Sequence, residues 1–416
     1  MMVTADPDLI QQALQKNHRN YDKSEIQANF LLPYLGQGLL TNTGSSWLRQ
    51  RRLIQPGFHR KRIEALVKAM QIEIEEQCKK LDHAITNNEP VRVEQFTLQL
   101  AFRVITRAIF TDGFNEAEMH KLDEDMTSVL KYVVYPIRMP ILRPITRAIG
   151  LEKRYRNIAH QATERLRKRV QARKRSKRAY EDLLQMLLDS RYEDTGEAME
   201  EQQLLDEIKI LFVAGHETSA NALAWTLYLL EQHPVYLTKV RKEIMDQLGE
   251  GPATAENLRQ LTLLTAIIEE SMRLYPPAWI TDRVALEDDQ FAEEIIPKDT
   301  IVNLYIYGVH HSSTHYQNPE LFRPERMFHV EKKKRHPFAF MPFGAGPRLC
   351  IGMHFAMLEM QLTLVHLLRH YEFERTSTNP IPNQPYITLR PKKSIEMFVK
   401  RRTSPVQRPI SSANLL

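Results

Sequence analysis

Cys350 lies in a loop whose composition restricts its backbone. The stretch PFGAGPRLCIG, residues 342–352, places three glycines and two prolines around one of only two cysteines in the 416-residue chain. A structural role is the usual one for a free cysteine. A nucleophilic cysteine needs a general base, and His354 follows four residues later, but no oxyanion site or orienting Asn or Asp accompanies the pair. A thiolate that binds a metal is the third interpretation.

Details of the loop give the third interpretation a specific form, a ligand to haem iron. Cys350 precedes a helix-forming run, MHFAMLEMQLTLVHLLRHY, so amide groups at a helix start would stabilise a sulfur anion. Gly346 and Gly352 would let the backbone approach a flat ligand closely. Phe343 would pack against the macrocycle, and Arg348 would pair with one of its carboxylates. On these residues alone the three interpretations stay open.

A second group of polar residues interrupts an apolar helix. Residues 200–233 form one long helical pattern, and its centre, LFVAGHETSANALAW, carries Glu217 and Thr218. Gly215 costs about 1 kcal/mol relative to alanine in a helix interior. The Thr218 hydroxyl can bond to the carbonyl of Ala214 and bend the helix. The polar island is therefore either a satisfied kink or a groove in which an acid beside a hydroxyl holds a small ligand and relays protons.

Glu270 and Arg273 lie three residues apart on a further amphipathic helix, LTLLTAIIEESMRLYPP. Most pairs of this kind lie on the surface and contribute little to stability. The many apolar residues around this pair favour burial instead. A buried pair needs more hydrogen bonds than one partner offers, and Arg326, in NPELFRPERMF, would supply a second guanidinium. The spacing by itself is weak evidence for such a cluster.

Most of the chain, including several of these residues, lies in segments with helical periodicity. It begins at residues 7–15, continues through residues 59–85, and dominates the first two-thirds of the chain. Strand patterns are short and late, in DDQFAEEIIP, TIVNLYIYGV and YITLRPKKSIEMFVKR. Because glycine is sparse and no repeat or Gly/Ser linker occurs, we expect one mainly α domain with small antiparallel sheets over residues 1–402. The polar residues 403–416 are expected to form a flexible tail.

Charge and composition exclude several classes of protein. The net charge of +6 fits a protein with a basic patch better than a dedicated nucleic-acid-binding protein. Two basic runs occur, at residues 165–178 and 332–335. Short basic runs usually form a solvated surface. The alternative hypothesis is that an acidic protein docks on one of them, and the second run is the better candidate. Two distant cysteines fit a reducing, cytoplasmic location. Without a long apolar window or a signal-peptide pattern, we expect a soluble protein with no membrane anchor.

Together, these motifs resemble those of the cytochrome P450 family. FGAGPRLCIG matches the family's haem-binding pattern F-x-x-G-x-R-x-C-x-G at every defined position. AGHET resembles its oxygen-activation motif, ESMR its E-x-x-R helix, and FRPERM its P-E-R loop, with Met327 where phenylalanine is commoner. WLRQR, residues 47–51, is similar to the W-x-x-x-R motif that holds a haem propionate. All five occur in family order, and the resemblance extends over most of residues 7–402.

The resemblance implies the cytochrome P450 fold, a haem b cofactor and the use of O₂. Cys350 would be the proximal iron ligand, because an anionic sulfur favours O–O cleavage. Glu217 and Thr218 would form the acid-alcohol pair that delivers protons. The remaining implied roles are an oxygen groove for Ala214 and Gly215, a scaffold for Glu270, Arg273 and Arg326, and cofactor binding for Trp47, Arg51, Arg283, Phe343, Gly346, Arg348 and Gly352.

Substrate contacts are expected from variable, mostly apolar segments. These are residues 20–46, the centre of the long helix, and the side chains of Ala278, Trp279, Ile280, Tyr386 and Ile387. They indicate a small apolar organic substrate. The overall resemblance is greatest to the fatty-acid hydroxylase branch of the family, with terpenoids or steroids as the next substrate classes. The 66 residues after Cys350 leave no space for a fused reductase. Electrons from NAD(P)H are therefore expected through a separate ferredoxin with its reductase, or a flavoprotein, docking near Arg348 and residues 332–335.

The beginning of the chain departs from the family pattern. It starts where the family normally has its second helix, so we expect the usual first helix and strands to be absent, which leaves the edge of the main sheet open. The favoured function is a monomeric monooxygenase that inserts one atom of O₂ into its substrate. The alternatives are a haem-thiolate binding or sensor protein and an inactive truncated homologue. A peroxygenase is less favoured because Glu217 and Thr218 are both present.

Overall fold

The computed structural model describes residues 1–112 and 114–402, so the predicted tail lies outside the described residues. The α-helices are α1 (Pro7–Gln11), α2 (Glu25–Leu35), α3 (Gly44–Ile54), α4 (Arg60–Glu64), α5 (Val67–Asn87), α6 (Val93–Ile109), α7 (Glu116–Arg138), α8 (Arg143–Ala148), α9 (Leu151–Arg175), α10 (Leu183–Asp189), α11 (Glu201–Gln232), α12 (Pro234–Leu248), α13 (Thr262–Leu274), α14 (Ile306–His310), α15 (His329–Lys333) and α16 (Met353–His370). A π-helical turn, Gln12–Lys16, follows α1. The division into a domain of residues 1–402 and a tail stays a prediction.

Short strands form small sheets beside the helices. They are β1 (Met2–Thr4), β2 (Tyr21–Asp22), β3 (Val91–Arg92), β4 (Thr281–Ala285), β5 (Asp289–Phe291), β6 (Glu294–Ile296), β7 (Ile301–Leu304), β8 (Tyr371–Arg375), β9 (Asn383–Pro385), β10 (Leu389–Pro391) and β11 (Glu396–Arg401). The largest sheet has the order β1-β7-β4-β2, and the others are β3-β11-β8, β9-β10 and β5-β6. The predicted mainly α fold with small sheets is confirmed.

One strand pair in the largest sheet is parallel rather than antiparallel. β1 runs parallel to β7, with Met2 opposite Val302, whereas β4 is antiparallel to both of its neighbours. Residues 2–4 therefore occupy the edge of the main sheet that sequence analysis expected to be open. Parallel strands need a long connection, and here nearly 300 residues separate the two partners.

Helix α11 crosses the centre of the protein, as its sequence pattern predicts. Its 32 residues would span about 48 Å at 1.5 Å per residue. It packs against α6 on one side and against α13 and α16 on the others. Apolar residues surround most of it, which is typical of a helix buried on all faces. Pro234 opens α12 directly afterwards, because proline suits the first turn of a helix but not its interior.

Two predicted elements are divided in the structure. Residues 300–309, predicted as one strand, form β7 and then the short helix α14. The periodicity of a short apolar run does not distinguish a strand from a buried helix. The strand prediction was therefore wrong for the second half of this run, which forms α14. Residues 59–85, predicted as one helix, form α4 and α5. The break lies at Leu66, whose amide bonds to the carbonyl of Ile63, three residues back, at 3.0 Å.

Glu359 is a fully buried carboxyl group on α16. Neither of its oxygens has a hydrogen-bond partner among the described residues, and the buried hydroxyls of Ser219 and Thr363 also have none. Ser219 is the neighbouring polar side chain that favours the ionised form, but burial is the larger effect and raises the pKa of Glu359 to about 8. This group is therefore held mainly as the neutral acid at neutral pH.

The first basic run lies mostly on α9 and is largely neutralised. Ion pairs join its side chains to acids of other elements, namely Arg165 to Asp125, Arg167 and Lys174 to Glu201, Arg169 to Glu118, Arg173 to Asp182, and Arg178 to Asp112. These contacts fasten α9 to its neighbours rather than leaving a free basic face. Among the described residues, no helix combines the length and the apolar character needed to cross a bilayer.

Candidate active site

The cysteine loop is fixed by its own backbone and by the N-terminal turn. The Cys350 amide donates to the carbonyl of Phe343 at 2.9 Å, which closes the loop. Gly346 has a φ of 66°, and a Cβ there would lie 1.8 Å from the carbonyl oxygen of Leu14. The close approach that requires Gly346 is thus the packing of the π-helical turn onto the loop. Gly346 therefore has a packing reason in the placement of the loop, and the close approach to a flat ligand stays a prediction.

The Cys350 side chain is surrounded by protein yet open to solvent on one side. It is exposed, whereas the other cysteine, Cys78, is buried in the core. Burial of the sulfur by its surroundings raises the pKa of the Cys350 thiol, while the Gly352 amide and the charge of Arg51 act in the opposite direction. The sulfur therefore faces an opening, with one amide and one guanidinium placed to stabilise its anion.

A group of cations lies near the cysteine loop, of which Arg283 is buried and Lys23 and Arg348 are half-buried. Lys23, Arg283 and Arg348 are close enough that repulsion from the others, after burial, lowers the pKa of Lys23 to about 7. Burial and Arg348 likewise lower the pKa of Arg283 to about 10. Asp22 pairs with Arg348 at 2.5 Å, and Asp282 is the other nearby acid. Because three cations face only two acids, the group has an excess of positive charge, which favours the binding of a further anion.

The two tryptophan-motif residues lie beside the same cations. The Arg348 guanidinium stacks over the Trp47 ring at 4.0 Å from its centroid. Arg51 donates to Gln55 at 3.1 Å and is half-buried near Cys350. The structure thus brings together Trp47, Arg51, Arg283, Arg348 and Cys350. Lys23 joins them and was missed, because a lone lysine in a variable segment carries no recognisable pattern.

The centre of α11 has a few small residues that are accessible to solvent. Ala214 is exposed although the turns before and after it are buried. The Thr218 hydroxyl donates to the Ala214 carbonyl at 2.8 Å, which is the back-bond predicted from sequence. A Cβ on Gly215 would lie 3.2 Å from the side chain of Ile105, so this glycine is explained by packing against α6.

Glu217, the neighbour of Thr218, belongs to a polar network with residues at strand β10. Its carboxylate accepts a bond from the Thr388 hydroxyl and from Arg390, whose nitrogens lie 2.7 and 2.6 Å away. Asn221 donates to Thr388 at 3.1 Å and completes the network. Thr388 and Arg390 were missed because about 170 residues separate them from Glu217.

Glu270, Arg273 and Arg326 form a buried cluster beneath the loop. Arg273 donates twice to Glu270, both at 2.8 Å, and bonds to the carbonyls of His310 and Leu321. The Arg326 Nε lies 3.4 Å from the same Glu270 carboxylate. The backbone amide of Arg323 also donates to Glu270 at 3.0 Å. Three partners around one carboxylate, with carbonyl acceptors for other guanidinium hydrogens of Arg273, compensate the charges for their burial.

The predicted substrate residues meet at the β9–β10 hairpin. The Trp279 indole donates to the carbonyl of Tyr386 at 2.9 Å, which ties the segment after α13 to the hairpin tip. Ala278 and Ile387 are exposed, and Ile280 is half-buried. Thr388, just before β10, and Arg390, on β10, then hold Glu217. The hairpin thus joins the predicted substrate contacts to the acid on α11.

Comparison with known proteins agrees with this arrangement. The sequence model for cytochrome P450 matches residues 1–398, which is almost the whole described chain. The chain belongs to the cytochrome P450 family. P450 4V2 from Homo sapiens is 30% identical over 414 residues, covering 93% of this chain and 78% of that protein. The 11-oxo-beta-amyrin 30-oxidase of Glycyrrhiza uralensis is 29% identical, covering 96% and 78% respectively.

A solved P450 structure supports the fold independently. The heme domain of cytochrome P450DA has a TM-score of 0.87, with 22% identity, over 96% of this chain and 88% of that chain. P450 enzymes are monooxygenases that bind haem through a cysteine thiolate, use O₂ and receive electrons from redox partners. The residues of this P450 fit the group, because a sulfur facing an opening and a partly buried excess of cations suit its iron and its carboxylates.

Proposed function

We propose that this P450 holds haem through the Cys350 thiolate and inserts one atom of O₂ into an apolar organic substrate. The observation that carries the proposal is the Cys350 sulfur, open on one side next to a partly buried excess of cations. Trp47, Arg51, Arg283 and Arg348 would hold the cofactor's carboxylates. Bound haem would supply the site of oxygen activation. The Gly352 amide and Arg51 would stabilise the sulfur anion that this chemistry requires.

Proton delivery would use the residues at the centre of α11. The Thr218 hydroxyl, accessible and fixed by its bond to the Ala214 carbonyl, would hold a proton donor in the groove. Glu217 would exchange protons from the far side of the helix, where Thr388 and Arg390 hold its carboxylate. Consecutive residues on a helix point about 100° apart, so the two groups serve different sides of the same turn.

The substrate would be a fatty acid or a terpenoid or steroid-like molecule. Ala278, Ile280 and Ile387 present apolar surface next to the hairpin, which favours an apolar ligand over a charged one. The name of the Glycyrrhiza relative describes a beta-amyrin derivative as its substrate, which supports the terpenoid class. Oxidation of several representatives of each class would separate the two.

Electrons would come from NAD(P)H through a separate ferredoxin system or a flavoprotein. A surface groove of about 530 Å³ lies beneath the cysteine loop, lined in part by Phe343, Leu349 and His354. Glu269 lines the same groove and pairs with Lys332, so the basic run of residues 332–335 borders it. Arg348, expected at this docking surface, is instead mostly buried against Asp22.

The spectrum of the reduced protein with carbon monoxide tests the cofactor assignment. A strongly red-shifted Soret band is expected for the parent protein and for Cys78→Ala. The Cys78→Ala control removes a buried thiol whose pKa burial raises to about 12. The band should be absent from Cys350→Ala. An unshifted band in the parent protein would refute thiolate ligation.

Thr218→Ala tests the proton relay with a matched control on the same helix. Thr226 makes the same kind of back-bond, to Ala222 at 2.7 Å, but is buried in the core. Thr218→Ala should divert electrons from product to peroxide at least several-fold, whereas Thr226→Ala should leave the product yield per electron unchanged. An undiminished yield in Thr218→Ala would rule out its role, and full turnover with peroxide alone would indicate a peroxygenase.

A further inference from the structure

The carboxylate of Glu217 is held through one of its two oxygens. Arg390 places two nitrogens 2.7 and 2.6 Å from Oε1, and the Thr388 hydroxyl donates to the same atom. Oε2 accepts no hydrogen bond from the described residues, although Glu217 is buried. A carboxylate with one oxygen fixed in this way keeps the other free to accept and release a proton. The residues of the hairpin therefore determine which atom of Glu217 is available for proton exchange.

The same guanidinium lies against the tip of the hairpin, residues 386–388. Its central carbon is 5.6 Å from the centroid of the Tyr386 ring, which is within the range of a cation–π contact. Inside the tip, the Tyr386 amide donates to the carbonyl of Thr388 at 3.0 Å. Tyr386 and Glu217 thus contact one side chain, that of Arg390. A displacement of the tip would therefore also displace the partner of the acid.

The hairpin depends on its contacts with the rest of the protein. Its strands have three residues each, and a two-stranded hairpin by itself is at best marginally stable in water. The Leu389 amide donates to the carbonyl of Pro277 at 3.0 Å, and Asn221 of α11 donates to Thr388 at 3.1 Å. Arg390 adds its ion pair with Glu217 of the same helix. The contact that holds the acid therefore also holds the hairpin.

We propose that Arg390 is a positioning residue that transmits the placement of the hairpin tip to Glu217. A substrate that packs against Tyr386 would hold the tip, and through Arg390 it would hold the Glu217 carboxylate with Oε2 free. This inference rests on the proposed function, and it adds that substrate contact and proton delivery are coupled through the hairpin. Such coupling is reciprocal, so Glu217 must stabilise the hairpin as much as the hairpin fixes Glu217.

Hydrogen exchange of the hairpin tests this coupling without turnover. The probes are the backbone amides of Tyr386 and Leu389. Arg390→Met and Glu217→Gln should each speed their exchange about tenfold, because each removes the same charged hydrogen bond. The double variant should exchange no faster than Arg390→Met alone, and Lys393→Met, at an exposed position beyond β10, should match the parent. Effects that multiply in the double variant, or an unchanged rate in Glu217→Gln, would overturn the inference.

The product yield per electron separates transmission through Arg390 from simple contact with substrate. With dodecanoic acid as the substrate, Tyr386→Leu should lower the yield several-fold, whereas Tyr386→Phe keeps a ring against the guanidinium and should retain the yield. In a Glu217→Gln background, Tyr386→Leu should have no further effect, because the acid that Arg390 positions is already lost. An equal fold loss in both backgrounds would show that Tyr386 contacts substrate only, and the inference would fail.

One further variant guards against a folding defect. Arg390→Lys keeps a cation for Glu217 and replaces Arg390→Met if that variant does not fold. Its amides should exchange nearly as slowly as those of the parent, and exchange as fast as in Glu217→Gln would contradict a role for the cation. A parent protein without the red-shifted carbon monoxide band would refute the proposed function, whereas a normal band with uncoupled exchange would refute this inference alone.

Discussion

Replacing Glu359 by glutamine should change how the stability of this P450 depends on pH. The carboxyl is buried on α16 without a hydrogen-bond partner among the described residues, and burial raises its pKa from 4.5 to about 8. Because the folded-state pKa exceeds the unfolded one, the folded protein binds this proton more tightly. The stabilisation is complete below pH 4.5 and is lost as the pH rises through about 8.

The size of the effect follows from the same values. Linkage converts a rise in pKa from 4.5 to about 8 into roughly 5 kcal/mol in total, of which about 3–4 kcal/mol is lost between pH 5 and pH 8. A chain of this length unfolds with an entropy of about 0.85 kcal/mol per kelvin, so the loss corresponds to about 4 °C in Tm. Glu359→Gln removes the titrating group and leaves a neutral side chain of the same shape.

Thermal unfolding of both proteins from pH 5 to pH 8 measures this difference. The Tm of the parent minus that of Glu359→Gln should fall by about 4 °C across the range. Glu372→Gln, at an exposed position of β8, is the matched control and should give a curve parallel to the parent. A constant difference between parent and Glu359→Gln would show that the buried carboxyl does not bind its proton more tightly in the folded state.

The site geometry gives further expected outcomes. Gly346→Ala should lower the Tm more than Gly344→Ala, since both have positive φ but only the first would place a Cβ against backbone; equal losses would contradict this. Arg273→Ala removes the main partner of the buried Glu270 carboxylate, at a cost of about 3–5 kcal/mol, so Tm should fall by about 4–6 °C; an unchanged Tm would contradict burial of the pair. Arg390→Ala should lower the product yield per electron because it releases Glu217, and Arg390→Lys should restore most of that yield. Steady-state analysis of product and peroxide measures this, and an unchanged yield in Arg390→Ala would contradict it.

Local patterns predicted the fold class and the central helix well. The apolar run of α11 ends at a proline, and the back-bond from Thr218 to Ala214 follows from helix geometry alone. The run of residues 300–309 was ambiguous because it is short and mostly apolar, so its pattern does not show that a helix follows β7.

The residues that sequence analysis missed act across long stretches of chain. Arg390 contacts Glu217 from 173 residues away, and Lys23 meets the cysteine site only in three dimensions. Two glycines with predicted roles at the site also have a packing reason that sequence analysis did not give. Gly215 and Gly346 are explained by packing against Ile105 and Leu14, contacts that no local pattern encodes.

The placement of residues 2–22 has a consequence for the order of assembly. Their partners come late in the chain: β1 pairs with β7, Leu14 packs on Gly346, and Asp22 pairs with Arg348. Synthesis of the intervening stretch takes roughly 15–60 s at 5–20 residues per second. During that time residues 2–22 cannot pair with β7 or pack on the cysteine loop, because those partners have not yet been synthesised. Long-range pairing is also slow once the partners are present. The cysteine loop therefore reaches its final form only when a segment made much earlier closes over it.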